Sequence, residues 1–305
     1  MQDGKPVWVK EKCVMCLGCL HRCPRFAIQC GNKTRKHGQY TNPNVKILKS
    51  DEMNIAVITG ASSGLGVKFL DAITRIYPTL DEYWIIARRT ERLEALARNY
   101  APKKIVPVEA DLSDEQAYLR IADKLKTEQP LVKVLINNAG YERSGAFSSM
   151  QEKDILSMIA VNIKGMTMMQ RICLPYMQSG SFSIITCSVS AFAPVPNQAI
   201  YAASKKYVYY FGKALREELL AKKINVLLLC PGNMDTEMNP RGKGRQNQKI
   251  NGLPFLDMEK LTMKALELAQ KGRGIYTPGW FYKGYRVVSK ILPSAWMIKM
   301  TGRFY

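Results

Sequence analysis

From residue 54 onward, short apolar runs alternate with longer helical stretches. The runs at 54–59, 83–87, 105–108, 133–136, 182–187 and 224–229 read as strands, and 65–77, 90–99, 114–127, 151–178 and 199–222 read as helices. Strands joined by helical crossovers of about 15 residues imply a parallel sheet covered on both faces. The expected fold is therefore a Rossmann-like, doubly wound α/β domain. Asp257–Gln270 reads as a further helix ended by Gly272, and 274–277 as a last strand. Beyond it, Val287, Val288, Ile291, Leu292, Ala295, Trp296 and Met300 fall at helical spacing. Arg286, Lys290 and Lys299 stand opposite, with Pro293 as a kink. Before residue 53 the pattern is absent. That stretch is rich in Cys, Lys, Asn and Gly and holds both histidines, His21 and His37. Two units are expected, 1–52 and 53–305, the second ending in a basic amphipathic tail from about residue 281.

At 305 residues and 47% hydrophobic, the chain can build a large core, which excludes disorder as a whole. No apolar run approaches the roughly 18–20 residues that span a bilayer. No basic segment followed by an apolar stretch opens the chain, so a cytoplasmic protein is expected. The net charge is +20, and it lies mainly at the two ends. Residues 1–52 hold ten Lys/Arg against four Asp/Glu, and residues 241–305 hold thirteen against three. Basic ends suit anionic substrates, membrane surfaces or plain solvation. No nucleic-acid motif accompanies them, so nucleic acid is not an expected partner. The aromatic, basic tail can lie on an anionic membrane surface, pack on the body or join a dimer interface.

Five of the eight cysteines fall within residues 13–30. Cys173, Cys187 and Cys230 lie in apolar segments and read as small buried hydrophobes. Cys13, Cys16, Cys19 and Cys23 with Pro24 form C-x2-C-x2-C-x3-C-P, the bacterial ferredoxin run for a 4Fe–4S cluster. Soft thiolates also suit zinc, but the spacing and Pro24 favour iron–sulfur. Only one such run is present, so the fourth ligand of a single cluster is open between Cys23 and Cys30. Residues 5–46 resemble the C-terminal end of bacterial flavodoxin–ferredoxin fusion proteins, without the flavodoxin part or the first cysteine run. Two readings follow: a cluster segment for electron transfer, or a vestigial appendage.

The first strand runs into Gly60-Ala61-Ser62-Ser63-Gly64-Leu65-Gly66 and then a helix. Such a strand–turn–helix cradles a pyrophosphate on backbone N–H groups. The second strand ends Ala87-Arg88-Arg89, with no acid for a ribose 2′-hydroxyl. Arginine there suits a 2′-phosphate, so NADP(H) is the expected cofactor, held by Arg88 with Arg89 and Ser62 assisting. Later strands end at Asp111-Leu112 and at Asn137-Asn138-Ala139-Gly140, along the same sheet edge.

Tyr201 and Lys205 are i and i+4 on one helix and share a face. Ser188 follows the strand ending at Cys187, and Asn162 lies in the preceding long helix. With the glycine turn, Asp111-Leu112, Asn137–Gly140, and Pro231-Gly232 with Thr236, this set resembles the short-chain dehydrogenase/reductase family over about residues 53–280. The resemblance implies hydride transfer between nicotinamide and a small carbonyl or alcohol. Tyr201 would exchange the proton. A phenol's ordinary pKa is about 10, so a neighbouring cation, Lys205, is needed to favour the phenolate. The resemblance also gives Lys205 the nicotinamide ribose, Ser188 the substrate oxygen, and Asn162 a water leading to solvent. Gly60, Gly64 and Gly66 would line the pyrophosphate, Asp111 would meet the adenine, Asn138 and Gly140 would flank the adenosine side, and Thr236 would meet the nicotinamide carboxamide. Ser62, Ser63, Leu65, Leu112, Ala139, Pro231 and Gly232 are further cofactor-binding residues that the resemblance implies. A homodimer or homotetramer through the helices carrying Asn162 and Tyr201 is expected. The segment Asn233–Leu256, with Arg241, Lys243, Arg245 and Lys249, reads as a basic loop suited to an anionic substrate or to solvent.

Overall fold

Strands buried on both faces must be apolar at nearly every position, and here they are. Five of the seven strands, β1 (Asn54–Thr59), β2 (Glu82–Ala87), β4 (Leu131–Asn137), β5 (Phe182–Thr186) and β6 (Asn225–Leu229), have hardly a side chain that reaches solvent. The computed structural model describes residues 53–237 and 253–302. The chain divides after Glu52, and the described residues all lie in the second unit. The expected cluster ligands Cys13, Cys16, Cys19 and Cys23 fall outside them, as do Arg241, Lys243, Arg245 and Lys249.

With β3 (Ile105–Glu109) and β7 (Ile275–Tyr276), the strands form one parallel sheet in the order β3-β2-β1-β4-β5-β6-β7. The order reverses beside β1. The β1/β4 boundary is thus the switch point where a crevice opens at the carboxyl ends of the strands.

Alternate residues of each strand feed opposite faces. Ile55 and Val57 of β1 join the core beneath α3 (Glu115–Glu128), α5 (Met166–Cys173) and α6 (Ala199–Leu220). Ala56 and Ile58 join the core beneath α1 (Gly64–Ile76), α2 (Thr90–Asn99) and α7 (Met258–Gln270). Helix starts follow the capping rules: Asp114 accepts from the Gln116 N–H, and Asp257 from the N–H groups of Glu259 and Lys260. Gly212 lets α6 lie close on β6, since a Cβ there would stand 2.5 Å from Leu228 Cδ2.

The strands fall within one or two residues of their expected places, but the helix expected over 151–178 is not continuous. It is α4 (Glu152–Ile159), a π-helical turn at Ala160–Gly165, then α5 and a 3-10 turn at Leu174–Tyr176. The π turn changes the helical register at Asn162 and directs that side chain inward, where it is 1% exposed. The tail breaks at Pro293, where a kink is expected. Leu292 is extended and Pro293 caps a new helix, so it comprises α8 (Trp280–Ile291) and α9 (Ser294–Thr301). One side of the tail packs on the body through buried Tyr282, Met297 and Thr301. The Thr301 hydroxyl donates to the Pro194 carbonyl at 2.9 Å.

Candidate active site

The turn after β1 depends on glycine at three places. Gly60 and Gly64 have φ of +67° and +54°, where a side chain is strained. A Cβ on Gly66 would lie 2.1 Å from the Gly60 carbonyl oxygen, so the turn closes only without one. It delivers the N-terminus of α1 to the switch-point crevice. Ser63, at the helix N-cap, makes no capping bond with its own side chain; its hydroxyl accepts from Arg89 at 2.9 Å. The first-turn N–H groups therefore have no capping partner from that side chain, an arrangement suited to an anion.

Thr59 ties the turn to the end of β4. Its hydroxyl accepts from the N–H groups of Asn138 and Ala139 at 2.9 and 3.0 Å. The Asn138 amide donates to the Thr59 carbonyl at 3.3 Å and accepts from Thr186 at 3.2 Å. Asn138 thus braces three strand ends in addition to lining the crevice.

Past β2 the two arginines separate. Arg88 is exposed, with its guanidinium 3.8 Å from Asp111. Arg89 donates to Ser62 and Ser63 and pairs with Glu237 at 2.9 Å. Arg92 pairs with the other Glu237 oxygen at 2.5 Å. The hydrogen bonds from Arg89, then Arg92, hold the Glu237 carboxyl below its usual range. Partial burial acts to raise the Asp111 pKa, but hydrogen bonds from Ser113 and the Arg88 charge outweigh it and lower it.

Ser188 caps a short 3-10 turn (Val189–Ala191) after β5. Its hydroxyl accepts from the Ser190 N–H at 3.1 Å and donates to the Ser190 hydroxyl at 3.2 Å. Tyr201 and Lys205 lie on α6, with the Lys205 Nζ 5.7 Å from the centre of the Tyr201 ring. That Nζ also donates to the Thr186 carbonyl at 3.0 Å. Burial pushes the Lys205 pKa down, more than the nearby Cys187 and Glu142 raise it. Asn162 lies behind this pair. Its amide donates to the Tyr141 carbonyl at 2.8 Å and to Ser204 at 3.1 Å, while its oxygen accepts from the Tyr141 N–H at 2.8 Å. Gly140 lies against both groups: a Cβ there would make ordinary contact, 3.5 Å from Asn162 Oδ1 and 3.5 Å from Lys205 Nζ.

One cleft of about 580 Å³ joins these parts. Gly60, Ser62, Ser63, Gly64, Leu65, Arg88, Arg89, Asp111 and Leu112 line one end, with Asn138, Ala139 and Gly140. Ser188, Tyr201, Lys205, Pro231, Gly232 and Thr236 line the rest. Of the expected residues in the described body, only Gly66 and Asn162 stay off the wall; one supports the turn and the other supports Tyr141 and Ser204. Cys173, Cys187 and Cys230 are buried as expected, and burial pushes the Cys173 thiol up to about 12.

Four features were not anticipated. Glu237 bridges two arginines across the cleft rim, and Thr236 touches the turn: a Cβ on Gly64 would be 3.3 Å from Thr236 Cγ2. Gln198 donates to Glu142 at 2.6 Å and to Ser144 at 3.1 Å beside Tyr201. Tyr282 of α8 fills the space over Gly232, where a Cβ would be 2.0 Å from its ring. Its hydroxyl donates to the Pro254 carbonyl at 2.7 Å and accepts from the Asn233 N–H at 3.1 Å. Among the described residues, no group of three or more His, Cys, Asp and Glu side chains is placed to hold a metal ion.

A model of the short chain dehydrogenase family matches residues 54–247. An uncharacterized oxidoreductase of Staphylococcus epidermidis is 29% identical over 209 residues, 67% of this chain and 87% of that protein. A 3-oxoacyl-(acyl-carrier-protein) reductase of Thermotoga maritima is 29% identical over 197 residues, 62% of this chain and 78% of that protein. The solved structure of a short-chain dehydrogenase from Sphingobium yanoikuyae in complex with NADPH superposes with a TM-score of 0.65 at 25% identity. It covers 79% of this chain and 97% of that one.

Proposed function

Because the chain belongs to the short-chain dehydrogenase family of oxidoreductases, we propose that it transfers a hydride between NADP(H) and a small carbonyl or alcohol substrate. The observation that carries this reading is the convergence of Ser188, Tyr201 and Lys205 on the cleft that also holds the glycine turn and Arg88. When bound, NADPH supplies the hydride that goes to the carbonyl carbon. Tyr201 gives its phenolic proton to the carbonyl oxygen, so that the carbonyl becomes an alcohol. The Ser188 hydroxyl donates a hydrogen bond to that oxygen and orients it. The Lys205 cation stabilises the phenolate left on Tyr201. Asn162, through its bonds to Tyr141 and Ser204, positions the wall around them.

The phosphate preference rests on Arg88, Arg89, Ser62 and Ser63. The two residues that follow β2, Arg88 and Arg89, are both basic, and exposed Arg88 is free to turn from Asp111 to a 2′-phosphate. The NADPH complex of the Sphingobium protein supports the same preference. Arg88→Ala is expected to raise the KM for NADPH by about 10–100-fold, the worth of a charge-assisted contact, with little change for NADH. Steady-state kinetics with both cofactors checks this; an equal loss for both would remove Arg88 from phosphate recognition.

The protein also pairs with a second copy of itself through α4 and α6. Leu156 and Ile159 on α4 and Tyr207 and Tyr210 on α6 are 66%, 42%, 40% and 60% exposed, an apolar surface that self-association would cover.

A further inference from the structure

Helix α8 has two unlike faces. At 100° per residue, Tyr282, Tyr285 and Ser289 share one direction. That direction is inward: Tyr282 is 2% exposed, and the Tyr285 ring packs 6.1 Å from the Phe192 ring. On the opposite side, Trp280, Gly284, Val287 and Ile291 follow i, i+4, i+7 and i+11 and fall within about a 60° sector. Trp280, Val287 and Ile291 are 85%, 57% and 74% exposed, and Trp296 at the start of α9 is 67% exposed. An apolar stripe this open on a helix is a surface awaiting a partner. Lys283 and Lys290 border the stripe on α8, and Lys299 is exposed on α9. From residue 271 to the end, the chain carries seven Lys/Arg and no Asp/Glu.

We propose that α8 and α9 form a docking surface for an anionic phospholipid bilayer. Trp280, Val287, Ile291 and Trp296 enter the interface, while Lys283, Lys290 and Lys299 meet the headgroups. The charge pattern selects this occupant. A two-fold contact with a second copy would set the same acid-free segment against itself, cation facing cation. A lipid surface offers what the stripe lacks: dense negative charge above an apolar layer, where tryptophan settles and lysine reaches outward. Among the described residues no helix is long and apolar enough to cross a membrane, so the contact is peripheral. The buried face of the same helix holds Tyr282 against Gly232, a wall residue of the cleft. Docking would bring that wall to within about one helix diameter, roughly 10 Å, of the bilayer.

The test is co-sedimentation of the full chain with vesicles of phosphatidylcholine plus phosphatidylglycerol, against phosphatidylcholine alone. It reads lipid binding and does not depend on the catalytic reading. The wild type is expected to sediment with the anionic vesicles and to be released as salt rises. Trp280→Glu with Ile291→Glu should lower the bound fraction at least about tenfold while NADPH binding is kept. Lys283→Gln with Lys290→Gln, at exposed positions, should weaken binding by a comparable factor, since each cation near such a surface contributes about fivefold. Absence of wild-type binding, or unchanged binding in both variants, overturns the proposal. So does conversion of a wild-type dimer to a monomer by Trp280→Glu/Ile291→Glu without lipid, because the stripe would then be a self-interface.

Discussion

Tyr201→Phe is expected to lower kcat for carbonyl reduction by about 10²–10⁴-fold while the affinity for NADPH stays unchanged. The substitution removes one oxygen from a side chain that lines the cleft, and the phenyl ring keeps the packing on α6. What is lost, in the proposed reaction, is the proton donor. A factor of that size corresponds to about 3–5 kcal/mol of transition-state stabilisation. Lys205 would keep its place, since its Nζ is held by the Thr186 carbonyl at 3.0 Å independently of the phenol. NADPH titration by fluorescence and turnover with a ketone, measured on the same preparation, separate binding from chemistry. Wild-type turnover in Tyr201→Phe would move the proton donor to another residue.

Gly66→Ala should be nearly as damaging, by a different route. Its Cβ would stand 2.1 Å from the Gly60 carbonyl oxygen, 2.8 Å from the Gly60 carbonyl carbon and 2.9 Å from Ala61 Cα. All three are backbone atoms, so no side chain can swing aside. Either the turn opens or α1 moves away from it. The expected cost is about 1–3 kcal/mol of stability, typical of overpacking. In a chain of this size that is a fall in Tm of several degrees. Affinity for NADPH should drop further, at least about tenfold, because the displaced atoms belong to the turn that the proposed function places against the pyrophosphate. Gly284→Ala is the control: a Cβ there meets nothing within 4 Å, and alanine is the better helix former. Thermal melts and NADPH titrations of both variants check the contrast. Equal melting and equal binding would mean that the turn does not need glycine at position 66.

The parts of the molecule that were legible in the sequence share a property: they are local. A strand buried on both faces must be an unbroken apolar run, so Ile55–Ile58 and Ile184–Ile185 announce themselves. A turn that must bring backbone to a phosphate needs glycine at fixed intervals, and Tyr201 and Lys205 need only one helical turn between them. The less legible parts depend on residues that meet only after folding. Glu237 joins Arg89 and Arg92 across 148 and 145 positions of chain. Nothing near Gly232 foretells that a tyrosine 50 residues later will occupy the space its missing side chain leaves. The π turn at Asn162 is hidden for another reason: one residue shifts the register within an otherwise good helix, and composition does not register it. The tail showed its amphipathic spacing, but which face it buries was decided by Tyr282, Met297 and Thr301 finding the body.

Hydride transfer is the central step of the proposed function, and isotope labelling measures it directly. The full chain would be incubated with NADPH deuterated at C4, in separate samples for each face of the ring, and a panel of small ketones. Product alcohols would be analysed by mass spectrometry and NMR. Deuterium at the carbinol carbon from one of the two labels, and its absence with Tyr201→Phe, is the expected result. Tight NADPH binding with no deuterium in any product would contradict hydride transfer to a carbonyl at this site.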